Sequence, residues 1–148
     1  MFKTIVVGLD GSQTSETALQ TACDLARKYE AELHLVHTPQ PQTVAFAMGA
    51  VAGYHTVTTM PSMDEVKAAA DKIVNGGQKI AEESGVSVAQ THSDIGNPVD
   101  EILSVAESCN ADLIVTGRRG LGSLGALVQG STSLGVSHHA KCACLSVI

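Results

Sequence analysis

Three short stretches of the chain, Ile5-Val-Val-Gly-Leu9, Leu33-His-Leu-Val-His37 and Leu113-Ile-Val-Thr116, carry no Asp, Glu, Lys or Arg and are almost wholly aliphatic. Continuous apolar runs of this length, without polar alternation, suit strands buried on both faces of a parallel sheet. The segments between them change period. Ala18, Leu19, Ala22, Cys23, Leu25, Ala26 and Tyr29 recur at helical spacing within 13–30, and Val66, Ala69, Ala70, Ile73 and Val74 do so in a segment running towards Glu83. Val99, Ile102, Leu103, Val105 and Ala106 form a third apolar helix face. The resulting order, β-α-β-(loop)-α-β-α-β-α-β, predicts one α/β domain over 1–148. It is an open five-stranded parallel sheet with right-handed crossovers, helices on both faces and a Rossmann-like build.

Local signals place the boundaries. Asp10-Gly11-Ser12 interrupts the first strand, and Pro39 and Pro41 end the second, which spans 32–38. Ser62-Met-Asp-Glu65 has capping-box spacing after Pro61. Gly76-Gly77 within that helix costs about 1 kcal/mol per Gly relative to Ala, which predicts a kink or break, and Gly85 closes it. Val86 to Thr91 alternates like a half-buried strand; Asn97-Pro98 reads as an N-cap followed by proline at the first helical position. A short helix over 131–139 and a strand over 143–148 complete the chain. Residues 42–60 match neither period; uncharged from Thr43 to Thr59, they are expected to form a mobile loop, with a lid or a partner-packing surface as alternatives.

Composition narrows the function. With 148 residues and 44% apolar content, but only Phe2, Tyr29, Phe46 and Tyr54 as aromatics, the core is aliphatic. Aromatic platforms for single-stranded bases are missing. A net charge of −6 argues against nucleic-acid or anionic membrane partners. No apolar stretch approaches the roughly 20 residues of a membrane span, and the start lacks signal-peptide features. The spacing of Cys23, Cys109, Cys142 and Cys144 suggests no disulfide framework. A cytoplasmic protein with reduced thiols is the expectation.

The charge is unevenly spread. Residues 1–112 hold six basic and all fifteen acidic groups, a net of −9, whereas 113–148 hold Arg118, Arg119 and Lys141 with no carboxylate, a net of +3. Six of the fourteen glycines lie in that last stretch. An anion site is expected there.

Three readings of the glycine-rich segment compete. Gly120, Gly122 and Gly125 spell G-x-G-x-x-G after a strand, but no Asp or Glu follows Asp112 to meet a ribose, so dinucleotide binding is rejected. Gly125 to Thr132 approaches a P-loop, but Ser131 stands where the phosphate-binding lysine belongs. The third reading takes Gly117, Gly120 and Gly130 with the hydroxyls of 131–133 opening a helix, where backbone N–H groups and hydroxyls suit phosphate.

This Gly-x2-Gly-x9-Gly-Ser spacing is similar to that of the universal stress protein family. The likeness extends through Ile5-Val-Val-Gly-Leu-Asp10-Gly-Ser12, Leu33-His-Leu-Val-His37, Gly96-Asn-Pro98, the stretch Ala111 to Gly122, and His139-Ala-Lys-Cys142. It covers nearly the whole chain. The resemblance implies an adenine nucleotide alpha hydrolase-like domain of the ATP-binding branch, taking ATP or AMP with or without Mg²⁺. By position, Asp10 would meet the ribose or adenine side, Thr38 the adenine edge through its backbone, and Gly117 the ribose. Gly120, Gly130, Ser131 and Thr132 would hold phosphates, with Arg118 or Arg119 nearby. The final strand often pairs with its twin in family dimers, which implies a homodimer. Lys141 and Ala143 replace the prolines usual beside the cysteine matching Cys142, so the last strand's edge is open to difference. The implied role is a stress-response regulator or nucleotide-dependent switch; a nucleotide-independent dimeric scaffold is the alternative.

Plainer roles exist for several of these residues. Asp10 is placed to cap the first helix, and Arg118 and Arg119 to be a solvated pair. Cys142 and Cys144 are expected to be buried small hydrophobes, since zinc wants four convergent ligands and only His138 and His139 lie near in sequence. His34, His37 and His92 lack a nucleophile partner and read as structural or solvent-facing. No side chain is placed as a dedicated base, so turnover beyond slow ATP hydrolysis or autophosphorylation is not expected.

Overall fold

A computed structural model describes residues 1–41, 61–119 and 130–148. The proposed mobile loop at 42–60 and the candidate phosphate ligand Gly120 lie outside the described residues. Among them, five strands and four helices follow in the order β1 (Thr4–Leu9), α1 (Gln13–Tyr29), β2 (Glu32–His37), α2 (Met63–Glu83), β3 (Val88–Ser93), α3 (Pro98–Ser108), β4 (Leu113–Gly117), α4 (Ser131–His139) and β5 (Ala143–Val147). The strands form one sheet in the order β3-β2-β1-β4-β5, parallel throughout.

The charge-free runs occupy the centre of the sheet. Ile5 of β1 lies in register with Leu33 of β2 on one side and Leu113 of β4 on the other. Alternation sorts them onto two cores. Ile5, Val7, Leu9, Leu33, Leu35, Leu113 and Val115 pack beneath Ala18, Leu19, Ala22, Cys23 and Ala26 of α1 and Ala81 of α2. Val6, Val36 and Ile114 pack on the opposite face against Ile102, Val105 and Ala106 of α3 and Val136 of α4. Burying one such aliphatic side chain contributes about 1.5–3 kcal/mol, so β1, buried on both faces, anchors both layers.

The caps form as their residue types require. Ser62 accepts from the Glu65 N–H while the Glu65 carboxylate accepts from the Ser62 N–H, a complete capping box at α2. Asn97 accepts from the N–H groups of Val99 and Asp100 at the start of α3. Two expectations are corrected. Helix α2 runs unbroken through Gly76-Gly77, because Gly77 lets it approach β1: a methyl there would come within 2.6 Å of Leu9 Cδ1. Strand β3 starts at Val88, not Val86, because the Val86 N–H closes the end of α2 on the Ala81 carbonyl.

Candidate functional site

The strand order makes the chain step outward from β1 to β2 to β3 and then return to β4 on the other side of β1. That reversal leaves a crevice at the carboxyl ends of β1 and β4, the usual ligand position in open α/β sheets. Asp10 leaves β1 there and Gly117 ends β4.

At the β1 exit, Gly11 takes a left-handed conformation (φ 81°) that a side chain would strain. The turn brings Asp10 Oδ1 into reach of the Ser12 N–H at 2.9 Å and the Ser12 hydroxyl at 2.6 Å. Ser12, not Asp10, is the N-cap of α1, accepting from the Ser15 N–H. The Ser12 hydroxyl lies 3.0 Å from that of Thr14, whose own hydroxyl donates to the Arg119 carbonyl. A chain of hydroxyls therefore ties the first turn of α1 to the segment leaving β4.

That segment is held from several sides. The Arg118 N–H donates to the Val147 carbonyl of β5. Its carbonyl accepts from the Gly130 N–H at 2.8 Å and from the Ser133 hydroxyl at 3.2 Å. Gly130 is the N-cap of α4, and no side chain caps that helix. Its first turn thus begins with backbone donors that no capping side chain occupies, at the positive end of the helix dipole. Ser131 is exposed, Thr132 half-buried and Ser133 buried. Space beside Gly130 is tight: a methyl on it would lie 3.2 Å from the Arg118 carbonyl oxygen.

Gly117 has a task that sequence reasoning missed. A methyl on it would meet the backbone of α1, at 2.9 Å from the Thr14 carbonyl carbon and 3.0 Å from the Ser15 nitrogen. Its bareness lets β4 end against the first turn of α1. Thr38 is buried just beyond β2, and the neighbouring His37 ring is fixed by Nδ1 at 2.8 Å from the Leu9 carbonyl. The Gln40 side chain donates to the Gly96 carbonyl at 2.9 Å, joining the β2 exit to the turn before α3. The hydrogen bonds thus bring Asp10, Arg118, Gly130 and the first turn of α4 together with Ser12 and Thr14. Thr38 sits one strand away. Thr14 was hinted at by the hydroxyl-rich Ser12-Gln-Thr-Ser15; Gln40 had no sequence signal.

The cysteines behave differently from expectation. Cys144 is exposed and Cys142 only half-buried, because β5 is an edge strand. Burial, and then the neighbouring Cys144, push the Cys142 thiol above its ordinary range, which makes it a poor nucleophile at neutral pH. Among the described residues no group of three or more His, Cys, Asp or Glu is arranged to hold a metal ion, and no helix is long and apolar enough to cross a membrane.

Comparison with known proteins gives a consistent result. A family model described as the universal stress protein family matches residues 1–147. A Staphylococcus aureus protein named as a universal stress protein is 29% identical over 147 residues, spanning 99% of this chain and 84% of its own length. Among solved structures, a universal stress protein in complex with cAMP superposes with a TM-score of 0.69 at 24% identity, covering 99% of this chain and 97% of that one. One from Archaeoglobus fulgidus in complex with dAMP gives 0.70 at 21% identity, covering 99% and 98%. At these identities the structural likeness establishes the fold.

Proposed function

The chain belongs to the universal stress protein family, and on that premise we propose that its working event is the binding of an adenine nucleotide, ATP or AMP, in the crevice at the carboxyl ends of β1 and β4. The observation that carries this reading is the start of α4. Its first turn has no side-chain cap, opens on a glycine and three hydroxyl residues, and belongs to a stretch of chain without a carboxylate after Asp112. Such a helix end suits a phosphate group. On this reading Gly130, Ser131 and Thr132 hold the phosphates, joined by Gly120 through its place in the sequence motif, and Arg118 contributes charge. Asp10 faces the ribose or adenine side, Gly117 the ribose, and Thr38 the adenine edge. The relatives solved with cAMP and with dAMP support the adenine class. Mg²⁺ accompanies ATP where three phosphates must be neutralised.

Occupancy acts as a regulatory signal in a cytoplasmic stress response, passed on through a homodimer formed along β5. The exposed Ala143, Cys144 and Leu145 on that edge strand favour such pairing, since an uncovered edge is a template for another strand. Calorimetry with ATP and AMP, each with and without Mg²⁺, tests the reading; saturable heats at micromolar to millimolar nucleotide are expected, and none would refute it. Gly130→Leu, checked for folding by its melting curve, is expected to lose binding. A scaffold that ignores nucleotide would retain its dimer and its partners in that variant.

A further inference from the structure

The face of the sheet covered by α3 carries an unusual pair. The imidazoles of His34 on β2 and His92 on β3 stack with ring centroids 5.9 Å apart and planes at 25°. His34 is only 7% exposed. Both of its ring nitrogens, and Nε2 of His92, are buried with no hydrogen-bond partner among the described residues. Buried polar atoms in native proteins are almost always paired, so three orphans in one stack call for an explanation.

The charges around the pair are few. On β2 itself, Glu32 Oε2 lies 4.0 Å from His34 Nε2, on a side chain that is mostly exposed. On β1, the residues beside His34 on this face are Thr4, Val6 and Gly8, none of them charged. On β3, His34 is opposite Gln90, and His92 opposite Val36. Helix α3 turns Ile102, Val105 and Ala106 to the sheet. Its carboxylates lie elsewhere: Glu101 against Gly96, Glu107 on Lys141 at 2.9 Å, and Asp100 exposed. Burial, and next the charge of His92, hold the His34 imidazole below its ordinary 6.5, with Glu32 opposing them.

We propose that the His34–His92 stack is an acid-released latch on the β3 edge of the sheet: neutral rings hold β3 against β2, and protonation frees the edge strand. Strand β3 is placed for this role. It has one neighbour, β2, and its Ala89, Gln90 and Ser93 are exposed. Its departure leaves β2, β1, β4 and β5 paired. The other face of β3 is tied to α2 by Gln78 donating to Thr91 at 3.2 Å, a bond that does not titrate in this range. The sign follows from the lowered pKa. An imidazole released to water titrates near 6.5, and burial holds that of His34 below this value in the stack. The latch is therefore at full strength above 6.5 and weakens as pH falls below it, with opening rising by up to about tenfold per pH unit for the proton that His34 gains.

The test is NMR on the full chain. The two imidazoles are titrated, and exchange of the Val88–Ser93 amides is compared between pH 7.5 and 5.0, referenced to the β4 amides. His34 is expected to titrate below 6.5, and β3 opening to rise several-fold on acidification while β4 stays closed. His34→Leu should abolish that rise, and His92→Gln should move the His34 titration upward. The proposal is overturned if His34 titrates at or above 6.5, if β3 and β4 open together, or if His34→Leu keeps the acid response. Should that variant fail to fold, the wild-type titration and exchange decide.

Discussion

Replacing Gly117 by alanine separates two explanations of this glycine, and the structure gives the size of the effect. The added methyl would stand 2.9 Å from the Thr14 carbonyl carbon, 3.0 Å from the Ser15 nitrogen and 3.1 Å from the Thr14 oxygen. These are backbone atoms in the first turn of a helix, so no side chain can rotate away. Either the end of β4 or the start of α1 must shift. Overpacking of this kind costs about 1–3 kcal/mol, against a gain of about 0.4–1 kcal/mol from the stiffer unfolded chain. The net loss lies between about 0 and 2.6 kcal/mol and is centred near about 1.3 kcal/mol, or roughly 3–5 °C in Tm for a domain of this length. Thermal unfolding of the nucleotide-free protein by circular dichroism measures it directly. If the glycine served only to let a ribose approach, the nucleotide-free variant would melt at or above the wild-type temperature; that result would refute the packing argument.

Other outcomes follow from the same structure. Gly76→Ala has nothing within 4 Å of the new methyl and lies within α2, so it is expected to stabilise by about 0.5–1 kcal/mol, read as a higher urea midpoint. The Asp112 carboxylate accepts from the N–H groups of Lys3 and Thr4, at 2.7 and 3.1 Å, and these bonds hold its pKa below the ordinary 3.8. Its contribution is present above that value and is lost as pH falls through the lower native one. Asp112→Asn should therefore flatten the acid limb of the stability curve below about pH 4; an unchanged limb would exclude this carboxylate as a source of acid sensitivity.

Much of the scaffold was legible because its signals are short in range. Asn97-Pro98 and Ser62 to Glu65 act within one helical turn, and both caps form as read. The charge-free runs became the central strands because no alternation was left to satisfy a wet face. The Gly76-Gly77 break was misread for a physical reason: local propensity counts against glycine, whereas the close approach of Leu9 favours it, and Leu9 is remote in sequence. Cys144 was misread likewise, since strand periodicity cannot tell an edge from a centre. In the candidate site, the hydroxyl run opening α4 was visible in the chain. The joining of Thr14 to Arg119, and of Gln40 to Gly96, depends on which strand ends become neighbours. The same holds for the meeting of His34 with His92 across the β2–β3 ladder.

The double acceptance by the Arg118 carbonyl has a mechanical corollary. Because the Gly130 N–H and the Ser133 hydroxyl both donate to it, the chain leaves and re-enters the sheet region through one hydrogen-bonded gate. The end of β4 and the start of α4 are therefore fastened to each other directly, so the position of the first turn of α4 is set by where β4 ends.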